Sequence, residues 1–194
     1  MSSPQHERLA VVLIGHGAPA TDCPPQLVGE LMSLEWRKTS AADGETPGAS
    51  PNGRPGSRQA EDRVAELDAA IRNWPRHADN DPYRVGLERL AQVLRPLLPT
   101  DLVAVGYNEF CRPSVAEAVD EVVQRGATRV LVIPSMLTPG GLHAEHDIPR
   151  ALEAVRRAHP RVTIEYLWPF DLHQVAALLA SHVAQALSAR QGHG

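Results

Sequence analysis

The stretch Leu9–Gly17, "LAVVLIGHG", decides the fold, because six apolar residues in a row run directly into Gly-His-Gly. A continuous apolar run is typical of a strand covered on both faces, as in a parallel sheet, whereas a half-exposed strand alternates. The runs Leu102–Val105 and Arg129–Ile133 repeat this pattern, and Val162–Leu167 adds a fourth apolar segment. The sequence therefore predicts four strands, with β-structure beginning close to the N-terminus.

Amphipathic helical patterns alternate with these strands and span residues 82–99, 113–126, 147–160 and 171–187. In the first of them, a stripe of apolar residues is expected to face inward: Leu90, Val93, Leu94 and Leu97. Strands that alternate with helices form right-handed βαβ units. We predict an α/β fold, doubly wound, with a mainly parallel four-stranded sheet and helices on both faces.

The spacing between the first two strands is longer than one crossover needs. We interpret the chain as a single domain over 1–194, with an insertion at 24–80 in the first crossover. Residues 39–58 are rich in Gly, Pro, Ser and Ala and lack periodicity, which predicts a mobile loop there. Beyond it, residues 61–75 return to a helical pattern with an apolar stripe of Val64, Leu67, Ile71 and Trp74.

Composition excludes several classes of protein. The net charge of −4 gives no general affinity for nucleic acid, and no apolar run approaches the length of a membrane helix. The first eight residues lack a signal-peptide pattern. Cys23 and Cys111 show neither metal spacing nor a disulfide framework, and Cys111 is expected to be a small buried hydrophobe. A cytoplasmic protein is the default expectation.

Polar residues with ligand chemistry follow three of the predicted strands. His16 follows the first, Glu109 the second and His143 the third. Parallel strands end at one edge of a sheet, where open α/β folds bind ligands, so these three side chains are expected to meet. Two imidazoles and a carboxylate suit a divalent transition metal. His146 is a weaker fourth metal ligand, and Asp147 is expected to cap the following helix.

Three segments carry a resemblance to a known family: "LIGHGAP" (13–19), "YNEFCRPSV" (107–115) and "GGLHAEHDIP" (140–149). In this order and on these elements, they resemble the sirohydrochlorin chelatases, the class II chelatases of CbiX type. The resemblance places the family's metal-binding and catalytic residues at His16, Glu109 and His143. Because the chain carries one set of motifs, it resembles the short, single-domain form of the family with an added insertion.

The resemblance implies a lyase that inserts Co²⁺, Fe²⁺ or Ni²⁺ into sirohydrochlorin, on the way to cobalamin or sirohaem. The metal would then be a substrate, and no tightly bound cofactor is expected. The substrate carries many carboxylates, so the candidate substrate-binding residues beside the motifs are Arg112, Gly140, Gly141 and Arg150. His143 and Glu109 are both candidates for the group that accepts the pyrrolic protons.

The resemblance also implies a homodimer. Helix 61–75 is the expected contact, with the alternative that its apolar stripe packs on its own domain and closes the cleft in a monomer. The predicted loop could act as a lid through the nearby basic residues Arg37, Lys38, Arg54 and Arg58, or be a tolerated surface insertion. A non-catalytic metal or tetrapyrrole carrier is the main alternative function. A phosphoryl-transfer enzyme would need arginines near His16, and residues 15–25 contain none.

Overall fold

The computed structural model describes residues 7–42 and 55–191. Four strands are formed: β1 (Leu9–Gly15), β2 (Val103–Tyr107), β3 (Arg129–Pro134) and β4 (Thr163–Tyr166). Six α-helices accompany them: α1 (Pro25–Ala42), α2 (Pro55–Arg72), α3 (Pro82–Leu94), α4 (Val115–Gln124), α5 (Ile148–Ala158) and α6 (Leu172–Gln191). A short 3₁₀ turn follows α3 at Arg95–Leu97, and a π-helical turn at His143–Asp147 leads into α5. Across the described part of the chain, no helix combines the length and apolarity that crossing a bilayer requires.

All strand pairs are parallel, in the order β2-β1-β3-β4. β1 lies in the middle and pairs with β2 on one side and β3 on the other, which is why its apolar run is unbroken. Val12 and Ile14 are buried against α4 and α5 on one face, and Leu13 is buried against α3 on the other. The predicted doubly wound α/β fold is confirmed.

The inward face predicted for α3 is wrong. Leu90, Val93 and Leu97 are exposed, whereas Leu87 and Ala91 are buried against Leu13 of β1. The helix has apolar residues on two sides, and small Ala91 lets the helix approach the sheet closely. The periodicity selected the larger leucine stripe, which faces away from this core cluster.

The insertion contributes two helices that pack on each other and on the loops that follow β1 and β2. Their shared cluster consists of the buried residues Ala20, Cys23, Leu31, Leu67, Ile71 and Phe110, with Val64 and Trp74 partly buried beside them. Most of the stripe proposed for a dimer contact therefore packs within the chain, which is the alternative given for it above. The division of the chain into one domain with an insertion at 24–80 stays an interpretation.

Both ends of the segment 39–58, predicted as a loop, are helical instead. α1 continues to Ala42 and α2 begins at Pro55. The remainder, residues 43–54, lies outside the described residues, as do Arg54 and the side chain of Lys38. Arg37 and Arg58 are exposed.

Candidate metal site at the sheet edge

Three loops at the carboxyl edge of the sheet bring His16, Glu109 and His143 together. One ligand atom from each lies within 4.8 Å of the other two, and this is the metal-compatible cluster found among the described residues. His16 Nε2 lies 3.9 Å from Glu109 Oε2, and His143 Nδ1 lies 3.5 Å from Glu109 Oε1. The imidazole rings meet edge to face, with centroids 4.6 Å apart. The three side chains lie close together, as the sequence predicted. Their roles as metal ligands and catalytic groups stay predictions.

The backbone sets His16 and Glu109 in register. Asn108 N–H donates to Gly15 O at 2.9 Å, and Glu109 N–H donates to His16 O at 2.8 Å, so the β1–β2 ladder continues past the strand ends. Gly17 has φ +95°, and a Cβ there would lie 1.9 Å from Glu109 O. Only glycine lets the two ligand loops approach this closely.

Hydrogen bonds fix both imidazoles in one orientation. His16 Nδ1 lies 2.8 Å from Gly17 O, and His143 Nδ1 lies 2.7 Å from Asp147 Oδ2. The Gly17 carbonyl oxygen is an acceptor, so His16 Nδ1 carries the proton and His16 Nε2 keeps a free lone pair. His143 Nδ1 contacts the Asp147 carboxylate and also lies 3.0 Å from the Asn108 amide nitrogen, so the tautomer of His143 sets which of the two it bonds. Imidazoles that bind metals are held in this way by a carbonyl or a carboxylate.

Asp147 has a different role from the predicted helix cap. Its backbone is helical, with φ −71° and ψ −49°, and its side chain makes no cap hydrogen bond. The π-helical turn instead aligns it with His143 four residues earlier. His146 of the same turn is exposed and does not belong to the cluster, so the structure does not support it as a ligand.

Glu109 and His143 line a cleft of about 680 Å³, and His16 lies beside them without belonging to the lining. Their exposed fractions are 39% for His16, 29% for Glu109 and 25% for His143, which leaves them accessible from one side. The lining comes from three parts of the chain and comprises Glu35, Val64, Arg72, Asn108, Glu109, Ser114, Val115, Ala116, Leu142, His143, Asp147, Arg150 and Ala151. The first turn of α4 lies on this wall, with Ser114 as its N-cap.

The predicted substrate-binding residues fall into two groups. Arg150 lines the cleft as expected. Arg112 does not line it, and its guanidinium contacts Glu117 and Asn73 instead. Gly140 and Gly141 are exposed beyond the lining; Gly140 has φ +91°, and its N–H donates to the Glu145 carboxylate at 2.6 Å, which closes the turn.

Sequence reasoning missed the residues that the insertion contributes, namely Glu35 of α1 and Val64 and Arg72 of α2. No motif marks them, because an isolated glutamate or arginine in a helix is usually a solvated charge. Burial and, next, the nearby Glu109 carboxylate raise the pKa of the Glu35 carboxyl, with smaller contributions from Asp68 and Asp147.

Cys111 is 1% exposed, as expected for a small buried hydrophobe. Burial raises the pKa of its thiol, although the Arg76 charge acts in the opposite direction. The thiol is therefore neutral at physiological pH and unsuited to bind a metal.

Parts of this chain match a family model and curated proteins. A sequence model of the CbiX family matches residues 79–186, which include Glu109 and His143 but not His16. The sirohydrochlorin cobaltochelatase of Priestia megaterium is 33% identical over 100 residues, which are 52% of this chain and 32% of that protein. The sirohydrochlorin ferrochelatase of the same organism is 29% identical over 77 residues, which are 40% of this chain and 29% of that protein.

Among solved structures, a cobalamin (vitamin B12) biosynthesis CbiX protein of Marinobacter aquaeolei VT8 has the same fold. The TM-score is 0.51 at 15% identity, over 95% of this chain and 99% of that one. The chain thus spans about a third of the length of the two curated relatives above and nearly all of this solved structure.

Proposed function

This chain belongs to the CbiX family, and from that premise we propose that it inserts a divalent metal ion into sirohydrochlorin. The observation that carries the proposal is the cluster of His16, Glu109 and His143 at the edge of an open cleft. The curated relatives act with cobalt or iron, so Co²⁺ and Fe²⁺ are the first candidates, and Ni²⁺ is the third.

The cluster suits delivery of an ion better than its storage. Three protein ligands leave coordination positions open, and the nitrogens of the macrocycle can enter these positions while the ion is still bound. One ring nitrogen each of His16 and His143, together with the Glu109 carboxylate, would hold the ion. An ion enclosed by four strong protein ligands would not transfer.

Metal insertion also releases the pyrrolic N–H protons, which need an acceptor. Glu109 and His143 are both candidates in the cluster. The Asp147 carboxylate, 2.7 Å from His143 Nδ1, holds that imidazole in place beside Glu109. Water in the open cleft can carry the protons away from either group.

The substrate's carboxylates require positive groups on the cleft wall. Arg150 lines the cleft and meets that need, and the N-terminal end of α4, which is the positive end of the helix dipole, lies on the same wall. We keep Arg150 as the principal candidate for substrate binding. Arg112 is a weaker candidate, because Glu117 and Asn73 already engage it.

The experiment mixes the protein with sirohydrochlorin and Co²⁺, Fe²⁺ or Ni²⁺ in turn, under anaerobic conditions. Initial rates are followed by the absorption change of the macrocycle and compared with the uncatalysed reaction. Acceleration with at least one metal supports the chelatase. Binding of metal and macrocycle without acceleration would instead support a carrier.

The homodimer also stays a proposal, and we now propose α6 rather than helix 61–75 as its contact surface. Exposed apolar residues lie on α6, where a second copy could cover them: Leu172, Leu178, Leu179, Val183 and Leu187. Light scattering at micromolar concentration tests this. A mass near 21.0 kDa would reject the dimer and a mass near twice that value would support it. The expected cytoplasmic placement likewise stays a prediction.

A further inference from the structure

Two arginines of the insertion contact the loop that carries Glu109. From the last turn of α2, Arg72 donates through Nη2 to Asn108 O at 2.9 Å and through Nη1 to Cys111 O at 3.0 Å. Its Nε is held by the Asp68 carboxylate at 2.8 Å. One guanidinium thus binds the backbone on both sides of Glu109.

Arg76, four residues further on, adds a second set of contacts. Its Nη2 donates to Phe110 O, and its Nη1 donates to Ala18 O at 2.7 Å and to Asp81 Oδ2 at 2.6 Å. The Arg76 side chain is 7% exposed and that of Asp81 1%, so this pair is buried. Arg76 therefore joins the loop after β2 to the loop that carries His16.

The loop needs such support because its backbone is unfavourable by itself. Phe110 has φ +58°, a left-handed conformation that is uncommon for a residue with a bulky side chain. The carbonyl groups of Asn108, Phe110 and Cys111 all receive their hydrogen bonds from the two guanidinium groups. Without these donors, the carbonyls would be left unsatisfied and the loop would relax.

We propose that Arg72 and Arg76 are positioning residues, which hold the loop 108–111 so that the Glu109 carboxylate points at His16 and His143. The insertion would then be part of the metal site through its hydrogen bonds. The inference rests on the part of the proposed function that assigns metal binding to the three side chains. It does not depend on the identity of the macrocycle.

Arg72→Gln is the principal variant, because Arg72 is partly exposed and its loss leaves no buried charge unpaired. The measurement is Co²⁺ binding to the whole chain without tetrapyrrole, by titration calorimetry and by the visible absorption of bound Co²⁺. We expect Kd to rise by about tenfold, the scale seen when groups that orient metal ligands are removed. Unchanged affinity would overturn the proposal.

Arg63→Gln is the matched control. Arg63 lies on the same helix and binds Glu30 and Glu66, so its removal also takes an ion-paired guanidinium from α2. Within the part of the chain that the structure describes, its guanidinium makes no hydrogen bond or ion pair with the loop 108–111. We expect the Kd of Arg63→Gln for Co²⁺ to stay within about twofold of the wild type. If Arg63→Gln weakens Co²⁺ binding as much as Arg72→Gln does, the effect is general destabilisation and the proposal fails.

A double-mutant cycle tests whether Arg72 acts through Glu109. In a Glu109→Gln background, adding Arg72→Gln should change Kd by less than about twofold, because the ligand that Arg72 positions is already lost. A full, additive loss in that background would contradict the proposal. Arg72→Lys should lie between wild type and Arg72→Gln, since an ammonium group cannot reproduce the two-pronged contact.

Arg76 is tested by Arg76→Lys, since complete removal would leave Asp81 buried without its partner. Weaker Co²⁺ binding with a melting temperature within about 5 °C of wild type supports the proposal. Because these measurements omit the macrocycle, they can fail while wild-type metal insertion succeeds, and the reverse can also occur. The two proposals are therefore separable.

Discussion

The two walls of the cleft contribute in different ways. The sheet edge supplies the groups that can bind a metal directly, on loops that follow β1, β2 and β3. The insertion supplies Glu35, Val64 and Arg72 to the opposite wall, and its arginines bind the backbone of a ligand loop. The first wall supplies the candidate metal ligands, and the second wall holds the loop that carries one of them, Glu109. Changes in the first should therefore abolish metal insertion, whereas changes in the second should weaken it by degrees.

The largest effect is expected from the ligands themselves. His16→Ala and His143→Ala should each reduce metal insertion to near the uncatalysed rate, while stability changes by no more than about 0.5 kcal/mol, because both side chains are partly exposed. Glu109→Gln should be nearly as damaging if the carboxylate takes up protons, and milder if it only binds the ion. Rates come from the absorption assay and stability from thermal unfolding.

His146→Ala is the matched control for these variants, since this imidazole lies in the same turn as His143 but outside the cluster. It should retain near-normal rates. A total loss in His146→Ala, or near-normal rates in His143→Ala, would mean that the site has been assigned to the wrong histidine.

Asp147→Asn should have the second largest effect. The amide group of the substituted side chain can still contact His143, but the negative charge that orients the imidazole ring is gone. We expect Co²⁺ affinity to fall by about 10- to 100-fold. Titration calorimetry measures it, and an affinity equal to wild type would show that the carboxylate does not orient the ligand.

The sequence was sufficient to predict that the three side chains of the sheet edge lie together, and the reasons are physical. Parallel strands fix the edge at which His16, Glu109 and His143 emerge, and few residue types can bind a transition metal. The pairing of His143 with Asp147 was also accessible, since residues four apart lie on one helical face. The cap assignment failed because a π-helical turn carries the helix back past Asp147.

The contribution of the insertion to the site could not be predicted from the sequence in this way. Arg72 binds the carbonyl groups of residues that are 36 and 39 positions away in the chain, and a carbonyl group has no sequence signature. The apolar stripe of 64–74 was detected correctly, but the pattern does not say which surface covers it. The wrong inward face predicted for α3 has the same origin. Leu87 and Ala91 are buried because they pack on Leu13, and the apolar periodicity of α3 does not identify that contact.

A substitution in the core of the insertion tests whether the insertion unfolds together with the rest of the protein or separately. Ile71 is fully buried in the cluster that also contains Phe110, Ala20 and Cys23. Ile71→Ala should cost about 2–5 kcal/mol in the free energy of unfolding. Circular dichroism during heating should show one transition at a lower temperature.

An early, separate transition of the insertion, with the rest of the protein unfolding at the wild-type temperature, would contradict this coupling. Val93→Ala is the control, since Val93 on α3 is 67% exposed and should change stability by no more than about 0.5 kcal/mol. A large loss of stability in Val93→Ala would support the inward face that the periodicity predicted for α3.

The smallest effect is expected from Glu35→Gln in metal-free protein. The raised pKa means that the folded chain holds this proton more tightly than the unfolded chain. Stability therefore falls as pH rises through the ordinary value of 4.5 and levels off above the folded pKa. The glutamine removes this loss, so the melting temperature should rise slightly at pH 7 and stay unchanged at pH 4.

Glu30→Gln on the same helix should have the opposite sign. The hydrogen bond from Arg63 lowers the pKa of the Glu30 carboxyl, so the charged form contributes stability above its ordinary pKa. Its replacement should lower the melting temperature at pH 7 and have no effect well below the folded pKa. Shifts of the same sign in both variants would contradict the assigned causes.

The central claim is that an ion held by His16, Glu109 and His143 passes directly to the macrocycle, and a single-turnover experiment tests it. The protein is loaded with one equivalent of Co²⁺, freed of unbound metal and mixed with sirohydrochlorin in the presence of a chelator that captures free Co²⁺. The account predicts that the absorption of the macrocycle changes to that of the cobalt complex, with an amplitude close to the bound metal. If the Co²⁺ goes to the chelator and the macrocycle stays metal-free, the three side chains do not deliver the ion and the account is wrong.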